Sequence, residues 1–358
     1  MLDWLRYLFR RTQPPAFAPD SFIVWEPCTR SHAEVVPGYV KYLLDLGFKV
    51  HVFMTPKRYD EGLFSRFVDP RIILHRLSQR SVRYLFRKHG IGQAHGILIT
   101  TARKISGRPD YAREQSLFAS RASKQKLLLV EHDVKPAFDA GALTRNIITL
   151  RKPYYENAET TVVNPHYFGT VSITPKNTGT TRFITIGAMR SKRRNTQVLV
   201  DAVNQLHKSG QTGFTITVIG RGSLKGIPSH LHRYFDIKGR VDFTTLYTEM
   251  ERADFFLTLL DPNNAAHERY ITTGTSGSFQ LIYGFAKPCL IPEKFAAANR
   301  FSQDNSLQYS TSADLSAIMR KSMEMNETSY SDLQQHILHD AKALFETSFA
   351  NLKTLIEP

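Results

Sequence analysis

The chain has 358 residues, enough for two domains of ordinary size. Hydrophobic residues make up 42% and charged residues 22%, a balance that excludes a disordered chain. Two cysteines are too few for a disulfide scaffold or a four-cysteine metal site, and both lie in apolar sequence, which favours a reducing compartment. No apolar run approaches the ~20 residues of a membrane-spanning helix. We therefore expect a cytoplasmic protein.

The first segment, residues 1–19, is basic and amphipathic. It carries Arg6, Arg10 and Arg11, and a helix through MLDWLRYLFRR places its leucines on one face. An export signal is excluded because no hydrophobic stretch and cleavage site follow. Two interpretations stay open, an interfacial helix on an anionic membrane or a terminal helix docked on the protein's own core.

Positive charge is concentrated in residues 56–127. They hold 16 Lys and Arg against 5 Asp and Glu, whereas the whole chain has a formal net charge of +15. Such a region attracts a phosphate-rich partner, which is nucleic acid, an anionic bilayer or a lipid diphosphate, unless it serves only solubility. No aromatic–basic motif of an RNA-binding module is present, so we expect no nucleic-acid partner. The expected location is peripheral, at the inner face of a membrane.

Strand and helix signals alternate after Pro19. Helical spacing of Val36, Val40, Leu43 and Leu44 between two apolar runs predicts a βαβ unit. Short apolar runs predict buried parallel strands at 22–25, 50–53, 72–74, 97–101, 127–130 and, more weakly, 161–163.

A Pro-, Gly- and Thr-rich stretch then predicts a linker over 166–181. A second series follows, with strands at 183–186, 214–219, 255–260 and 289–291, helices at 197–207, 244–253 and 278–285, and helix from residue 313 onward. The prediction is an α/β protein with two doubly wound Rossmann-like domains, 20–165 and 182–330, facing a cleft. Residues 331–358 form a C-terminal helix.

A basic loop follows the first strand of the second domain. It begins at Gly187 and carries Arg190, Lys192, Arg193 and Arg194 just before a helix. Arginine forks and a helix N-terminus bind phosphate oxygens, and ligands of doubly wound domains lie at this sheet edge. The loop therefore predicts a diphosphate site. Replacing Arg190 and Arg194 together by alanine is expected to weaken diphosphate binding without unfolding the chain.

Two further segments reach the same edge. The turn Gly220-Arg221-Gly222 follows the next strand and predicts part of a nucleotide pocket. Four residues precede the apolar helix near 278, with Ser276 as its N-cap, and their amides offer a second diphosphate contact. They are Thr275, Ser276, Gly277 and Ser278.

The segments GAMRSKRRN, VIGRG, ERADFFLTLLDP and SGSFQLIYGFAKPCLI resemble, in order and spacing, glycosyltransferases of the GT-B fold, of the retaining type called glycosyltransferase group 1. The resemblance covers residues 180–295 well and 20–165 more loosely. It implies a hexosyltransferase-like enzyme whose substrate is a nucleotide sugar, with a UDP-sugar expected and no other cofactor. It also implies a donor on the second domain, an acceptor on the first, and a C-terminal helix that packs back on the first domain.

The sequence departs from this family at two places. Ala188 follows Gly187 where the family usually has arginine. The paired glutamates of the family align with Thr273 and Leu281, so Glu268 is the candidate substitute for the first of them.

Candidate catalytic groups of the first domain are histidines at predicted strand ends. His32 and His132 are the candidates for contact with the acceptor hydroxyl or the donor sugar, because a neutral imidazole accepts a proton near pH 7. Glu34 and Gly38 share the turn and helix after the first strand and are assigned to the acceptor side. No metal-ligand spacing is present, so a metal-independent reaction is expected.

These features together predict transfer of a sugar from a nucleotide sugar to a saccharide or a lipid-linked saccharide in surface polysaccharide biosynthesis. The alternative is a non-catalytic basic module on the same scaffold that binds nucleic acid or anionic lipid.

Overall fold

A computed structural model describes residues 16–28, 32–102, 126–189, 193–222, 224 and 226–357. The chain forms two compact units. The first runs to Thr170 and takes up the chain again from Phe345, and the second is Val171–Leu344. Segment 1–15 and residues 103–125 of the basic region lie outside the described residues, so the predictions made for them stay predictions.

Seven parallel strands form the sheet of the first unit, in the order β3-β2-β1-β4-β5-β6-β7. The chain order reverses between β1 and β4, which makes the sheet doubly wound. The strands are β1 (Ser21–Glu26), β2 (Lys49–Met54), β3 (Ile72–Arg76), β4 (Gly96–Ile99), β5 (Lys126–Glu131), β6 (Ile147–Thr149) and β7 (Thr161–Val162). The described helices before residue 170 are α1 (Val36–Asp45), α2 (Pro56–Asp60), α3 (Gln79–His89) and α4 (Lys135–Asp139).

The central strand β1 is buried along its whole length. Its neighbours are β2 and β4, and Phe22 is in register with both Val50 and Gly96. A strand that is covered on both faces needs apolar side chains at every position, which explains the uninterrupted run FIVW.

Six parallel strands form the sheet of the second unit, in the order β10-β9-β8-β11-β12-β13. This order repeats that of the first unit, with the reversal between β8 and β11. The strands are β8 (Thr181–Ile186), β9 (Phe214–Ile219), β10 (Phe235–Gly239), β11 (Phe255–Leu257), β12 (Cys289–Pro292) and β13 (Ser306–Tyr309). The helices are α5 (Thr196–Lys208), α6 (Phe243–Arg252), α7 (Gly277–Gly284), α8 (Glu293–Ala296) and α9 (Leu315–Glu324).

The last helix, α10 (Glu327–Ile356), belongs to both units, because the division falls between Leu344 and Phe345. Its final turns pack on the first unit. The ring of Phe345 lies 4.6 Å from that of Tyr42, and the Ser348 hydroxyl accepts a hydrogen bond from the Asn164 amide at 2.9 Å.

The predicted α/β class with two doubly wound parallel sheets is confirmed. Strands β6, β10 and β13 and helices α2, α3, α4 and α8 were not predicted. Strand β10 has the sequence FDIKG and lies at the edge of its sheet, where Ile237 is exposed, so it lacks the apolar run of a central strand. Among the described residues, no helix combines the length and the apolarity that crossing a bilayer requires.

Candidate functional site

In both sheets, residues of interest lie at the point where the strand order reverses, at or just beyond the carboxyl ends of the strands. In the second unit Gly187 follows β8, and in the first unit Glu26 ends β1. Ligands of doubly wound sheets bind at this point because the loops on either side diverge and leave a crevice. The candidate site residues are therefore described unit by unit.

Backbone contact between two loops shapes the edge of the second sheet. Gly187 and Gly220 have φ near 143° and 144°, a region that favours glycine. The Met189 amide donates to the carbonyl of Arg221 at 2.8 Å, and a Cβ on Gly222 would lie 2.8 Å from the carbonyl oxygen of Met189. The predicted G-x-G turn thus has a packing role here, and Arg221 is exposed beside it.

Arg194 is the best-defined residue of the basic loop. Its side chain is buried and donates to the Ile186 carbonyl at 3.0 Å and to the hydroxyls of Ser276 and Ser278 at 3.1 and 2.7 Å. Burial lowers the pKa of its guanidinium. It forms no ion pair with a carboxylate in the described part of the chain, and its Nε has no hydrogen-bond partner there.

This geometry revises the expectation that Arg194 can be removed without harm to the fold. The guanidinium connects the end of β8 to the residues that begin α7 by hydrogen bonds. It therefore stabilises the fold of this edge in addition to supplying positive charge. Of the other three predicted cations, the structure describes one. Arg193 is exposed, with its Nη1 3.4 Å from the Tyr270 hydroxyl, whereas Arg190 and Lys192 lie outside the described residues.

The pKa of the Tyr270 phenol reflects the positive charges around it. Burial of its side chain raises the pKa of the phenol, but the charges of Arg194, Arg193 and Arg269 and the hydrogen bond from Arg193 together lower it below its usual value. A buried phenol whose pKa falls indicates a strongly positive environment. The site therefore favours an anion.

The N-terminus of α7 lies in this environment. Ser276 is the N-cap, and its hydroxyl accepts from the Ser278 amide, while its neighbours Thr275 and Gly277 are partly exposed. The first amides of a helix have no partner within the helix and point out of its positive end. Loop cations and helix amides thus converge, and the structure brings together the predicted residues Gly187, Arg193, Arg194, Ser276 and Ser278.

Glu268 lies in a short 3-10 helix, Ala265–Tyr270, and about half of its side chain is exposed. Its carboxylate pairs with Lys294 at 2.9 Å. Thr273 and Leu281, which occupy the places of the family's glutamates, are both buried. In this structure Glu268 therefore forms a surface ion pair with Lys294.

Two histidines that the sequence places after strands meet in the first unit, although β4 separates their strands β1 and β5 in the sheet. The rings of His32 and His132 have centroids 4.1 Å apart. His132 Nε2 lies 2.9 Å from the Thr100 carbonyl oxygen, which only accepts, so Nε2 carries the proton and Nδ1 the lone pair of the neutral ring. His32 has φ 71°, a strained conformation for a residue with a side chain.

The other two acceptor-side candidates have identifiable packing roles. Burial raises the pKa of Glu34, opposed by hydrogen bonds from backbone amides, including that of His32, and by the charge of Arg58. A Cβ on Gly38 would lie 2.5 Å from the backbone of Pro165, so glycine is required there for packing. Gly38 is buried and offers no surface to a ligand in this structure.

Two carboxylates at this position in the sheets were not predicted as site residues from the sequence. Asp261, just after β11, accepts from the side chain of Asn195 at 2.6 Å, and Asn195 is the N-cap of α5. Glu26 is fully buried among threonines at the end of β1. In sequence, the only available signal was the position of each acid at the end of an apolar strand.

No cluster of three or more His, Cys, Asp or Glu side chains suited to a metal ion occurs within the described ranges. No protein-family model and no curated protein matches the chain.

Solved structures do match, over 94% of this chain in each case. They include the pneumococcal O-GlcNAc transferase GtfA in complex with UDP and GlcNAc, with a TM-score of 0.58, 11% identity and 98% of that chain covered. They also include AviGT4, a glycosyltransferase involved in avilamycin A biosynthesis, with a TM-score of 0.57, 9% identity and 98% of that chain covered. A third is Arabidopsis thaliana UGT89C1 complexed with quercetin, with a TM-score of 0.54, 13% identity and 98% of that chain covered. At such low identity the likeness concerns the fold, and the chain has the GT-B fold.

Proposed function

We propose that the protein is a glycosyltransferase that uses a nucleoside diphosphate sugar as donor. The observation that carries this proposal is the buried guanidinium of Arg194, which has no carboxylate partner in the described residues and joins the end of β8 to the N-terminus of α7. A buried cation without a counter-ion is costly unless an anion arrives nearby. The GT-B fold and the glycosyltransferase names of similar structures support the same choice of ligand.

In the proposed reaction, cations and helix amides stabilise the leaving diphosphate. Negative charge develops on it as the bond to the sugar breaks, and in this proposal Arg193, Arg194 and the amides beside Ser276 neutralise that charge. The sugar passes through an oxocarbenium-like state, and the acceptor hydroxyl attacks. The resemblance to group 1 enzymes favours retention of configuration, a UDP-sugar donor and a metal-independent step.

The acceptor is assigned to the first unit. His132 Nδ1 carries the lone pair, so the imidazole is able to receive the proton of an acceptor hydroxyl, and His32 stacks beside it. We propose a saccharide or lipid-linked saccharide as the acceptor, as in the assembly of a surface polysaccharide.

We further propose a peripheral association with an anionic membrane. Helix α3 supports it, because its buried face carries Val82, Leu85 and Phe86, while Arg80 and Arg87 are exposed and the helix contains no acid. Anionic lipids attract such clusters, and salt screens the attraction. Replacing Arg80 and Arg87 by glutamine should weaken binding to anionic vesicles, whereas the same change at exposed Lys208 and Arg320 of the second unit should not. Equal binding to neutral and anionic vesicles would contradict this part.

The test of the main proposal is donor turnover, measured as transfer or hydrolysis with UDP-, GDP- and ADP-sugars, together with calorimetry of the free diphosphates. We expect one nucleotide to bind and its sugar to be released. Absence of binding and turnover across the panel, with tight binding to nucleic acid or anionic lipid, would support the non-catalytic alternative instead.

A further inference from the structure

The carboxyl group of Glu26 is fully buried at the point where the strand order of the first sheet reverses. Its Oε1 accepts from the backbone amide of Cys28, in the segment that leads to His32. Its Oε2 accepts from the hydroxyls of Thr100 and Thr101 at 2.6 and 3.1 Å. Three donors for one buried carboxyl define a built polar site that the proposed reaction has not yet used.

Thr100 connects this carboxyl to the histidine pair. The carbonyl of Thr100 receives the hydrogen bond from His132 Nε2, and the ring of His132 packs on that of His32. A chain of contacts therefore links Glu26 to the two histidines. The Glu26 carboxyl binds the Thr100 hydroxyl, the Thr100 carbonyl binds His132, and His132 packs on His32. Thr101 binds the same carboxyl, but no histidine is seen on its carbonyl in the described residues.

The Thr100 hydroxyl has two acceptors within reach. It lies 2.6 Å from Glu26 Oε2 and 3.2 Å from the carbonyl oxygen of Trp25. A hydroxyl has one proton to donate. When Glu26 is ionised, Thr100 donates to the carboxylate; when Glu26 is protonated, the acid donates to Thr100 and the hydroxyl turns to Trp25. The protonation state of Glu26 thus changes the hydrogen bonding of Thr100, the residue whose carbonyl binds His132.

We propose that Glu26 is the positioning residue of the His132–His32 pair, acting through Thr100, and that its ionised form holds the pair ready for the acceptor. This inference rests on the proposed transferase function for its kinetic consequence, but its geometric part does not.

Titration of Glu26 in the physiological range agrees with this role. Burial raises its pKa to about 7, against the hydrogen bonds from Thr100, Cys28 and Thr101 and the charge of Arg58. Titratable groups at or just beyond the carboxyl ends of β1 and β5 include His32 and Glu34 in the turn before α1 and Glu131 and His132 at the end of β5, and Glu61 follows α2. The neighbouring strand β2 carries Lys49 and His51, and α1 carries Tyr39, Lys41, Tyr42 and Asp45. Glu61 is paired with Arg58.

The experiment compares Glu26→Gln and Thr100→Val with Thr101→Val as the matched control. Turnover of the wild type should rise as Glu26 ionises near pH 7, and Glu26→Gln should lack this rise. At pH 8 we expect Glu26→Gln and Thr100→Val to lose about 10-fold in kcat, since a displaced base forfeits part of its contribution. The KM for the donor should stay unchanged because the proposed donor site is on the second unit. Thr101→Val should keep the rise in turnover that depends on Glu26, moved to higher pH because the carboxylate loses one hydrogen bond.

A second measurement separates this inference from the proposed function. In protein labelled at histidine, the NMR signal of the His132 ring should show, besides the inflection of its own protonation, a second inflection near pH 7 that is absent from Glu26→Gln and is retained, at higher pH, in Thr101→Val. Identical His132 titrations in the wild type and Glu26→Gln would overturn the inference even if the enzyme is active. An inactive wild type that shows the Glu26-dependent inflection would overturn the transferase proposal and leave the positioning role standing.

Discussion

A Cβ on Gly220 would lie 1.6 Å from the carbonyl oxygen of Gly187. The loops after β8 and β9 therefore touch through their backbones, and only glycine at residue 220 permits this, the more so because its φ is 144°. The Gly187 amide also donates to the Ile219 carbonyl at 2.9 Å, which fixes the approach. The basic loop starts from this contact.

Gly220→Ala should therefore destabilise the second unit by about 3 kcal/mol or more, since clash and backbone strain add. Urea unfolding measures the change. Gly213→Ala is the matched control, because a Cβ at residue 213 meets nothing within 4 Å and should cost little. If both variants unfold at the same urea concentration, the close contact of the two loops is not a feature of the protein in solution.

Arg194→Ala should weaken nucleoside diphosphate binding at least tenfold and also lower the free energy of unfolding by about 3 kcal/mol, because buried oxygens lose charged donors. Calorimetry and thermal unfolding give the two numbers. Arg193→Ala should weaken binding while leaving stability nearly unchanged, since that side chain is exposed. An Arg194→Ala protein as stable as the wild type would show that the hydrogen bonds of Arg194 between β8 and α7 contribute nothing to the free energy of unfolding.

Glu268→Gln should leave turnover within a few-fold of the wild type. Both side chains of the ion pair with Lys294 are close to half exposed, and such surface pairs contribute at most about 1 kcal/mol. A double-mutant cycle with Lys294→Met should give a coupling of this size in unfolding experiments. A loss of turnover greater than 100-fold in Glu268→Gln, with Lys294→Met active, would instead assign Glu268 to catalysis.

Acidification should destabilise the first unit through a histidine pair on β2 and β3. His51 Nδ1 lies 3.0 Å from His75 Nε2, and the His75 ring stacks on Phe53 at 4.3 Å. Burial, and then the nearby His51, lower the pKa of His75 from 6.5 to about 4, and burial also lowers that of His51.

A lowered histidine pKa means that the unfolded chain takes up the proton first. Stability is therefore complete above pH 6.5 and falls as the pH drops toward 4, by on the order of 2 kcal/mol for His75. His75→Phe keeps the stacked ring and should flatten this part of the stability profile, whereas His89→Gln, at the exposed end of α3, should not. A profile unchanged by His75→Phe would contradict the assignment.

The sheets were predictable because their central strands are buried on both faces, as FIVW in β1 shows. Edge strands such as β10, with charged Asp236 and Lys238, carry no such signal. The basic loop before a helix predicted a diphosphate site that stays a prediction, and of its four cations the structure describes Arg193 and Arg194. The burial of Arg194 was not predictable, because it depends on Ser276 and Ser278, more than 80 positions away. Glu26 was missed for the same reason, since only β1–β4 pairing brings Thr100 beside it.

The path of α10 through both units has a consequence for synthesis on the ribosome. The strands of the first unit are all made before residue 170, yet Phe345 and Ser348, which pack on Tyr42 and Asn164, emerge only after the whole second unit. A chain that folds from its N-terminus must hold the first unit with its α1 surface uncovered during that interval. Nascent chains arrested between residues 170 and 340 should therefore engage chaperones that recognise exposed aromatic surface, and release them when α10 is complete.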